Sequence, residues 1–264
     1  MRKVLITGAA SGIGSATRDI FLKNGFYVYA IDICEPEARE NQTSIKADIT
    51  DFDRLTDVCN RLESEGIEID LIINVAGIHR MASLVETEYS QMKKVIDINL
   101  EGTMLVNRVF HRLLAPKGRI IIVTSEVASF DPMPFNGLYN VSKTALECYA
   151  QALRQELNLI GQKVISIRPG AVETPLSSGS RTDTETLAGS TELYKSQAKR
   201  FSGIVNAFIG KPLHPETLAK LIFRASTKRH TKLVYKKHQS FGLILLNLLP
   251  LRWQCGIIKL LLGG

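Results

Sequence analysis

The glycine-rich turn Thr7-Gly8-Ala9-Ala10-Ser11-Gly12-Ile13-Gly14 constrains this chain most, because it follows the apolar run Val4-Leu5-Ile6 directly and opens an amphipathic stretch directly. Such a turn joins a strand to a helix. Its glycines let the backbone turn tightly, approach an anion closely, and pack helix on strand with no Cβ between them. The helix N-terminus then aims unpaired N–H groups at the anion, so the expected ligand is a pyrophosphate.

The alternation begun there continues to about residue 235. Strands are expected over residues 3–7, 27–32, 43–46, 71–74, 119–124, 163–168 and 232–235, and helices over 12–24, 51–65, 89–114, 139–160 and 215–226. Nearly all-apolar strands alternating with amphipathic helices mean an α/β fold, a parallel sheet covered by helices on both faces. With 264 residues, no internal repeat and no linker, the chain reads as a single domain over 1–264. Residues 177–203 break the pattern and are rich in Ser, Thr and Gly, so a substrate-binding loop or lid is expected over 177–212.

The net charge of +7 has a local origin. Nine cations and no acid fall within residues 218–264, and the remainder of the chain is net −2. Residues 236–264 therefore read as a basic, apolar C-terminal extension. No recognition motif accompanies the cations, which argues against nucleic acid. Asn247, Pro250, Arg252, Gln254 and Lys259 interrupt the Leu/Ile-rich tail, so it should not span a bilayer. It is left to roof the substrate pocket, form a subunit interface, or make peripheral membrane contact. The cysteines Cys34, Cys59, Cys148 and Cys255 lie far apart and the five histidines lack metal spacing, so no metal and a cytoplasmic chain are expected. His79, His111, His214, His230 and His238 read as structural or solvated. The N-terminal apolar run is too short for a signal peptide.

Asp32 ends the second strand eighteen residues after Gly14, where a carboxylate can accept from both adenosine ribose hydroxyls. A carboxylate there repels a 2′-phosphate, and neither Ser11 nor Ile33 supplies a compensating cation, so NAD(H) is expected rather than NADP(H). Asp48 and Ile49 should lie near the adenine edge. Tyr139 and Lys143 are four residues apart on one expected helix face, where an ammonium can bring a phenol into working range as a base. Ser125 ends the preceding strand and could hold a substrate oxygen beside the phenol; Ser129 is the competing serine.

Taken in order, these elements resemble the short-chain dehydrogenase/reductase family over residues 1 to about 235. The family's glycine motif is similar to Thr7 to Gly14, and its N-N-A-G element to Asn74-Val75-Ala76-Gly77, with Val75 in place of the second Asn. Its catalytic Asn, Ser, Tyr and Lys match Asn99, Ser125, Tyr139 and Lys143, and its P-G element and following Thr match Pro169-Gly170 and Thr174. The interval from Ser125 to Tyr139 is fourteen residues, longer than is usual in the family, so the extra chain should bulge within residues 129–136.

The resemblance implies a doubly wound Rossmann fold with a seven-stranded, mainly parallel sheet in the order 3-2-1-4-5-6-7. It implies a cofactor site made of Thr7, Gly8, Ser11, Gly12, Ile13, Gly14, Asp32, Asp48, Ile49, Asn74, Ala76, Gly77, Tyr139, Lys143, Pro169, Gly170, Val172 and Thr174. It also implies an NAD-dependent oxidoreductase acting on CH–OH groups. In that chemistry Tyr139 exchanges the hydroxyl proton, Lys143 binds the nicotinamide ribose, Ser125 orients the substrate oxygen, and Asn99 holds a water linking Lys143 to solvent. Pro134-Phe135-Asn136 and Ala145-Leu146-Glu147 resemble the hydroxysteroid and retinol dehydrogenase branch, which suggests a bulky apolar alcohol or ketone such as a steroid. The alternatives are a 3-oxoacyl thioester reductase of fatty-acid type and a non-catalytic nucleotide-binding regulator. Helices 89–114 and 139–160 carry more apolar positions than one core face needs, so a homodimer or homotetramer is expected.

Overall fold

The computed structural model describes residues 1–174, 187–208 and 212–263. Its strands are β1 (Lys3–Thr7), β2 (Tyr27–Asp32), β3 (Gln42–Lys46), β4 (Ile69–Asn74), β5 (Leu114–Val123), β6 (Lys163–Pro169) and β7 (Val234–Lys237). They form one sheet in the order β3-β2-β1-β4-β5-β6-β7, with every neighbouring pair parallel. The helices are α1 (Gly12–Lys23), α2 (Phe52–Ser64), α3 (Tyr89–Ile96), α4 (Thr103–Phe110), α5 (Gly137–Asn158), α6 (Lys195–Phe208), α7 (Pro215–Thr227), α8 (Phe241–Leu246) and α9 (Leu251–Leu262).

The strand side chains explain why both faces are covered. Leu5, Ile72, Ile120, Ile122 and Val164 enter one buried cluster with residues of α2, α4 and α5. Their alternate neighbours Val4, Ile6, Leu71, Ile73, Ile121 and Ile165 enter a second cluster with Phe21 of α1 and Leu218 and Ile222 of α7. Successive strand residues point to opposite faces, so an unbroken apolar strand needs helices on both. On the α1/α7 side Phe21 meets Phe26 and Phe223 edge-on, at centroid distances of 4.9 and 5.0 Å. The chain order reverses between β1 and β4, which opens a crevice at their C-terminal ends. The glycine turn leaves β1 on one side of it and Val75-Ala76-Gly77 leaves β4 on the other.

Two expected elements differ. The single helix over 89–114 is α3, a π-helical turn over Asp97–Gly102, and α4. Its last expected residue, Leu114, opens β5 instead and pairs with Ile69, and a register shift there lets the strand continue through Pro116 and Gly118. Within the expected lid, residues 177–186 and 209–211 lie outside the described residues, but α6 replaces loop from Lys195 onward. Ala198 and Phe201 of α6 are buried with Phe135 and Leu262, and this tertiary packing outweighs a polar-looking sequence. Among the described residues no helix is long and apolar enough to cross a membrane.

Candidate active site

The turn after β1 is built on three glycines. Gly8 (φ +69) and Gly12 (φ +53) occupy the left-handed region, and a Cβ on Gly8 would lie 2.9 Å from the Ala76 Cα across the crevice. A Cβ on Gly14 would lie 1.8 Å from the Gly8 carbonyl oxygen. Gly14→Ala must therefore displace backbone, and is expected to destabilise the fold by at least about 1–3 kcal/mol and weaken dinucleotide binding. Thermal melts and a nicotinamide fluorescence titration check both effects; a melt unchanged from wild type would contradict the close approach.

The crevice is lined by Gly8, Ser11, Gly12, Ile13, Gly14, Asp32, Asp48, Ile49, Ala76, Gly77 and Thr174 of the expected set. Ile33, Ala47, Val75, Ile78 and Ile98 line it as well, unforeseen because only tertiary structure brings these apolar positions to one wall. The Asp32 carboxylate accepts from the Ala10 N–H at 2.9 Å and the Cys34 N–H at 3.0 Å, so it holds the glycine turn as well as facing the crevice. Asp48 accepts from the Thr50 N–H and hydroxyl, both through Oδ1.

Several expected contacts lie elsewhere. Thr7 Oγ1 accepts from the Val75 and Ala76 N–H groups at 3.2 and 3.3 Å, tying β1 to the β4 exit. Asn74 is buried and donates to Asn107 Oδ1 at 2.9 Å, so its side chain braces the inner helix layer and is not among the crevice-lining residues. Pro169 closes β6. Gly170 admits the His238 carbonyl, which a Cβ would meet at 1.8 Å. Val172 is buried and bridges to Leu213. Each of these positions shapes the crevice from behind rather than lining it.

Lys143 and Asn99 pack against Gly77 of the crevice wall, Tyr139 lies one turn before Lys143 on α5, and Ser125 lies two residues past β5. Tyr139 lies in the first turn of α5, buried, with the Ser125 hydroxyl near enough to favour its ionised form. Ser129 instead accepts from Arg168 at 3.0 Å, in a network that pairs Arg168 with Glu147 at 2.9 Å. Lys143 Nζ donates to the Val123 carbonyl at 3.5 Å and sits 5.8 Å from the Tyr139 ring centroid. A Cβ on Gly77 would come within 3.3 Å of that Nζ, so the glycine leaves room for the buried ammonium beside the crevice wall. Asn99 is fully buried in the π-helical turn; its Oδ1 accepts from the Ile78 N–H at 2.7 Å, and its Nδ2 donates to the Ile78 carbonyl and to Ser142 Oγ.

The electrostatics depart from the expectation that Lys143 lowers the phenol pKa. Burial pushes the Tyr139 phenol up to about 12, against the influence of the neighbouring Ser125 hydroxyl, and burial pulls the Lys143 ammonium down to about 8. The ammonium lies over the ring rather than beside the oxygen, and desolvation dominates both groups.

Two neighbours were not read as site residues. His79 packs on the Tyr139 ring at 4.4 Å and is hydrogen-bonded to Asn136 Oδ1 at 3.0 Å. Glu126, next to Ser125, is largely buried; burial raises its pKa, and it accepts from the Ser240 N–H at 2.6 Å. No local spacing announces either, because each arrives through a long-range contact. The extra chain before Tyr139 is taken up where Phe135 adopts φ +62, its carbonyl held by the Ala82 N–H. Met81, Met133, Phe135, Tyr194 and Phe201 pack together in a third apolar cluster with residues of α6 and α9.

The model for the short chain dehydrogenase family matches residues 2–185, from the glycine turn through Tyr139 and Lys143. The chain belongs to this family. Among its relatives, the NADPH-dependent 1-acyldihydroxyacetone phosphate reductase of Schizosaccharomyces pombe is 36% identical over 183 residues, covering 66% of this chain and 61% of the reductase. The chain thus spans under two thirds of that relative's length. Short-chain dehydrogenase RED1 of Pyricularia oryzae is 31% identical over 211 residues, covering 76% of this chain and 73% of RED1. The crystal structure of a short chain dehydrogenase family protein from Francisella tularensis superposes with a TM-score of 0.76 at 24% identity, covering 89% of this chain and 96% of that one. This likeness shows the shared fold.

A nicotinamide dinucleotide fits the crevice of this short-chain dehydrogenase. The glycines leave open the space a Cβ would fill, the α1 N-terminus faces the crevice, and Asp32 and Asp48 stand at its far end. Among the described residues no group of three His, Cys, Asp or Glu side chains could hold a metal ion.

Proposed function

We propose that this short-chain dehydrogenase interconverts a bulky apolar secondary alcohol and its ketone with NAD(H). The observation that carries the reading is the buried set of Ser125, Tyr139 and Lys143, with the Lys143 ammonium packed against Gly77 of the crevice wall. A bound dinucleotide supplies or takes the hydride, and the chain supplies the proton and the geometry. Tyr139 Oη holds the transferable proton, Ser125 Oγ orients the substrate oxygen, Lys143 binds the dinucleotide ribose, and Asn99 fixes the backbone beneath Gly77. A non-catalytic regulator has no use for a buried phenol beside an ammonium.

The cofactor preference rests on charge. Asp32 lines the crevice, Glu35, Glu37 and Glu40 follow it in sequence, and the one cation of residues 32–41, Arg39, is paired with Glu37 at 2.6 Å. A carboxylate at the ribose position disfavours a 2′-phosphate. The Schizosaccharomyces pombe reductase, NADPH-dependent by name, marks the opposite choice.

The substrate class rests on the resemblance of Pro134-Phe135-Asn136 and Ala145-Leu146-Glu147 to the hydroxysteroid and retinol dehydrogenase branch, which points to a steroid or another bulky apolar substrate rather than a sugar. The deciding measurement follows nicotinamide absorbance with steroids, retinoids, 3-oxoacyl thioesters, acyl-chain ketones and short polar alcohols, each with both cofactors. Preference for short polar alcohols would overturn the substrate class; preference for 3-oxoacyl thioesters with NADPH would favour the fatty-acid reading.

A phenol near 12 stays protonated at neutral pH, which suits proton donation to a ketone. The Lys143 ammonium loses its proton through about pH 8. For ketone reduction, kcat/KM should accordingly be level from acidic to neutral pH and fall through one step near pH 8. Ser129→Ala should leave kcat within about threefold, whereas Ser125→Ala should lower it by on the order of 10–100-fold. The reverse ranking would assign the orienting role to Ser129.

A further inference from the structure

We infer that the outward face of the C-terminal extension docks on an anionic lipid bilayer. The extension is fixed to the chain along its inner side. Ser240 N–H donates to Glu126, the Asp131 N–H donates to Asn247 Oδ1 at 2.7 Å, Gln254 Nε2 donates to Asp131 at 2.9 Å, and Leu262 is buried beside Phe201. Arg200 closes the end by donating to the Leu262 and Gly263 carbonyls.

What this anchoring leaves outward is strongly apolar. Phe241, Leu248, Trp253 and Leu260 are 71%, 76%, 65% and 82% exposed. On α9, Gln254, Ile258 and Leu262 follow one another at intervals of four on the inner side, and Trp253, Gly256 and Leu260 share the opposite side. Arg252 and Lys259, seven apart, run along the edge of that outer stripe, and both are exposed.

Residues 236–264 carry cations only, and the acids that touch them, Glu126 and Asp131, are engaged by Ser240 and Gln254 on the inner side. Lys236 and Lys237 are exposed at the C-terminal end of β7, just before α8, and no Asp or Glu follows Glu216 in the sequence. Among the described residues, none of Lys236, Lys237, Arg252 and Lys259 enters an ion pair. Lys228, Arg229 and Lys232 precede β7 and leave the sheet at its other end, so they are not part of this surface. A tryptophan and long aliphatic side chains rimmed by cations match the boundary of an anionic bilayer, where rings and leucines enter the acyl region and ammonium groups stay among the headgroups. A second copy of the chain fits less well: a two-fold contact through this face would set its cations against the same cations.

Trp253 is the only tryptophan, so the surface carries its own reporter. The full chain is mixed with vesicles of phosphatidylcholine alone and of phosphatidylcholine with phosphatidylserine, at low and high salt. The serine-containing vesicles should shift Trp253 emission to the blue and sediment the chain, with affinity about tenfold lower at high salt. Leu248→Glu combined with Leu260→Glu should weaken that binding at least about tenfold. The same variant should keep the wild-type melting temperature and its rate on a small water-soluble ketone. No emission shift, or equal binding to neutral vesicles at either salt, overturns the inference. So does a wild-type oligomer that the glutamate variant dissociates, which would make this face an interface between copies. Emission and sedimentation need no turnover, so the result stands apart from the proposed reaction.

Discussion

Tyr139→Phe is expected to lower kcat by about 10²–10⁴-fold while leaving dinucleotide affinity within about twofold. The substitution removes one oxygen and keeps the ring that packs against His79 at 4.4 Å, so the crevice keeps its shape. It also removes a buried polar atom, so stability should hardly change. Single-turnover rates and a dinucleotide titration separate the two quantities. A variant retaining more than about a hundredth of wild-type kcat would place the proton exchange on another group. Lys143→Ala should differ in kind, lowering both turnover and dinucleotide affinity, because the ammonium borders the crevice at Gly77.

The second large effect concerns Asp32. Wild type should prefer NADH over NADPH by on the order of a hundredfold or more in kcat/KM, since a 2′-phosphate replaces a ribose hydroxyl contact with repulsion. Asp32→Ala should narrow that ratio to within about tenfold, mostly by loss of NADH efficiency. It should also lower the melting temperature, because the carboxylate accepts from the Ala10 and Cys34 N–H groups. Equal or better kcat/KM with NADPH in the wild type would overturn the cofactor reading. A ratio unchanged in Asp32→Ala would reduce Asp32 to a support of the glycine turn.

The sheet was legible in the sequence because its signals are local. Val4-Leu5-Ile6 against Thr7 to Gly14, and Tyr27 to Asp32, carry strand, turn and helix chemistry within a few residues, and β1, β2 and the start of α1 fall where expected. The same locality placed Tyr139 and Lys143 on one helix face. What the sequence hid depends on distant partners. His79 reaches Tyr139, Glu126 reaches Ser240, and Asn74 turns to Asn107, and each contact joins segments tens of residues apart. Asn74 also shows how a motif position can be recognised without its packing: its amide braces the layer behind the crevice. The α6 helix was masked for a related reason, since Ala198 and Phe201 become a core face only after the C-terminal extension closes over them.

The π-helical turn at Asp97–Gly102 makes Asn99 sensitive to chain length as well as to side chain. A helix advances about 100° per residue, so removing one residue and restoring a regular spiral would rotate everything on one side by about that angle. Asn99 would then lose its clasp on Ile78 and Ser142, or Val106 and Phe110 of α4 would leave their buried seats. The two sets of side chains are out of phase on a regular spiral, and the wide turn is the phase correction that satisfies both. Drift in sequence should therefore be tolerated along this segment far more readily than drift in length.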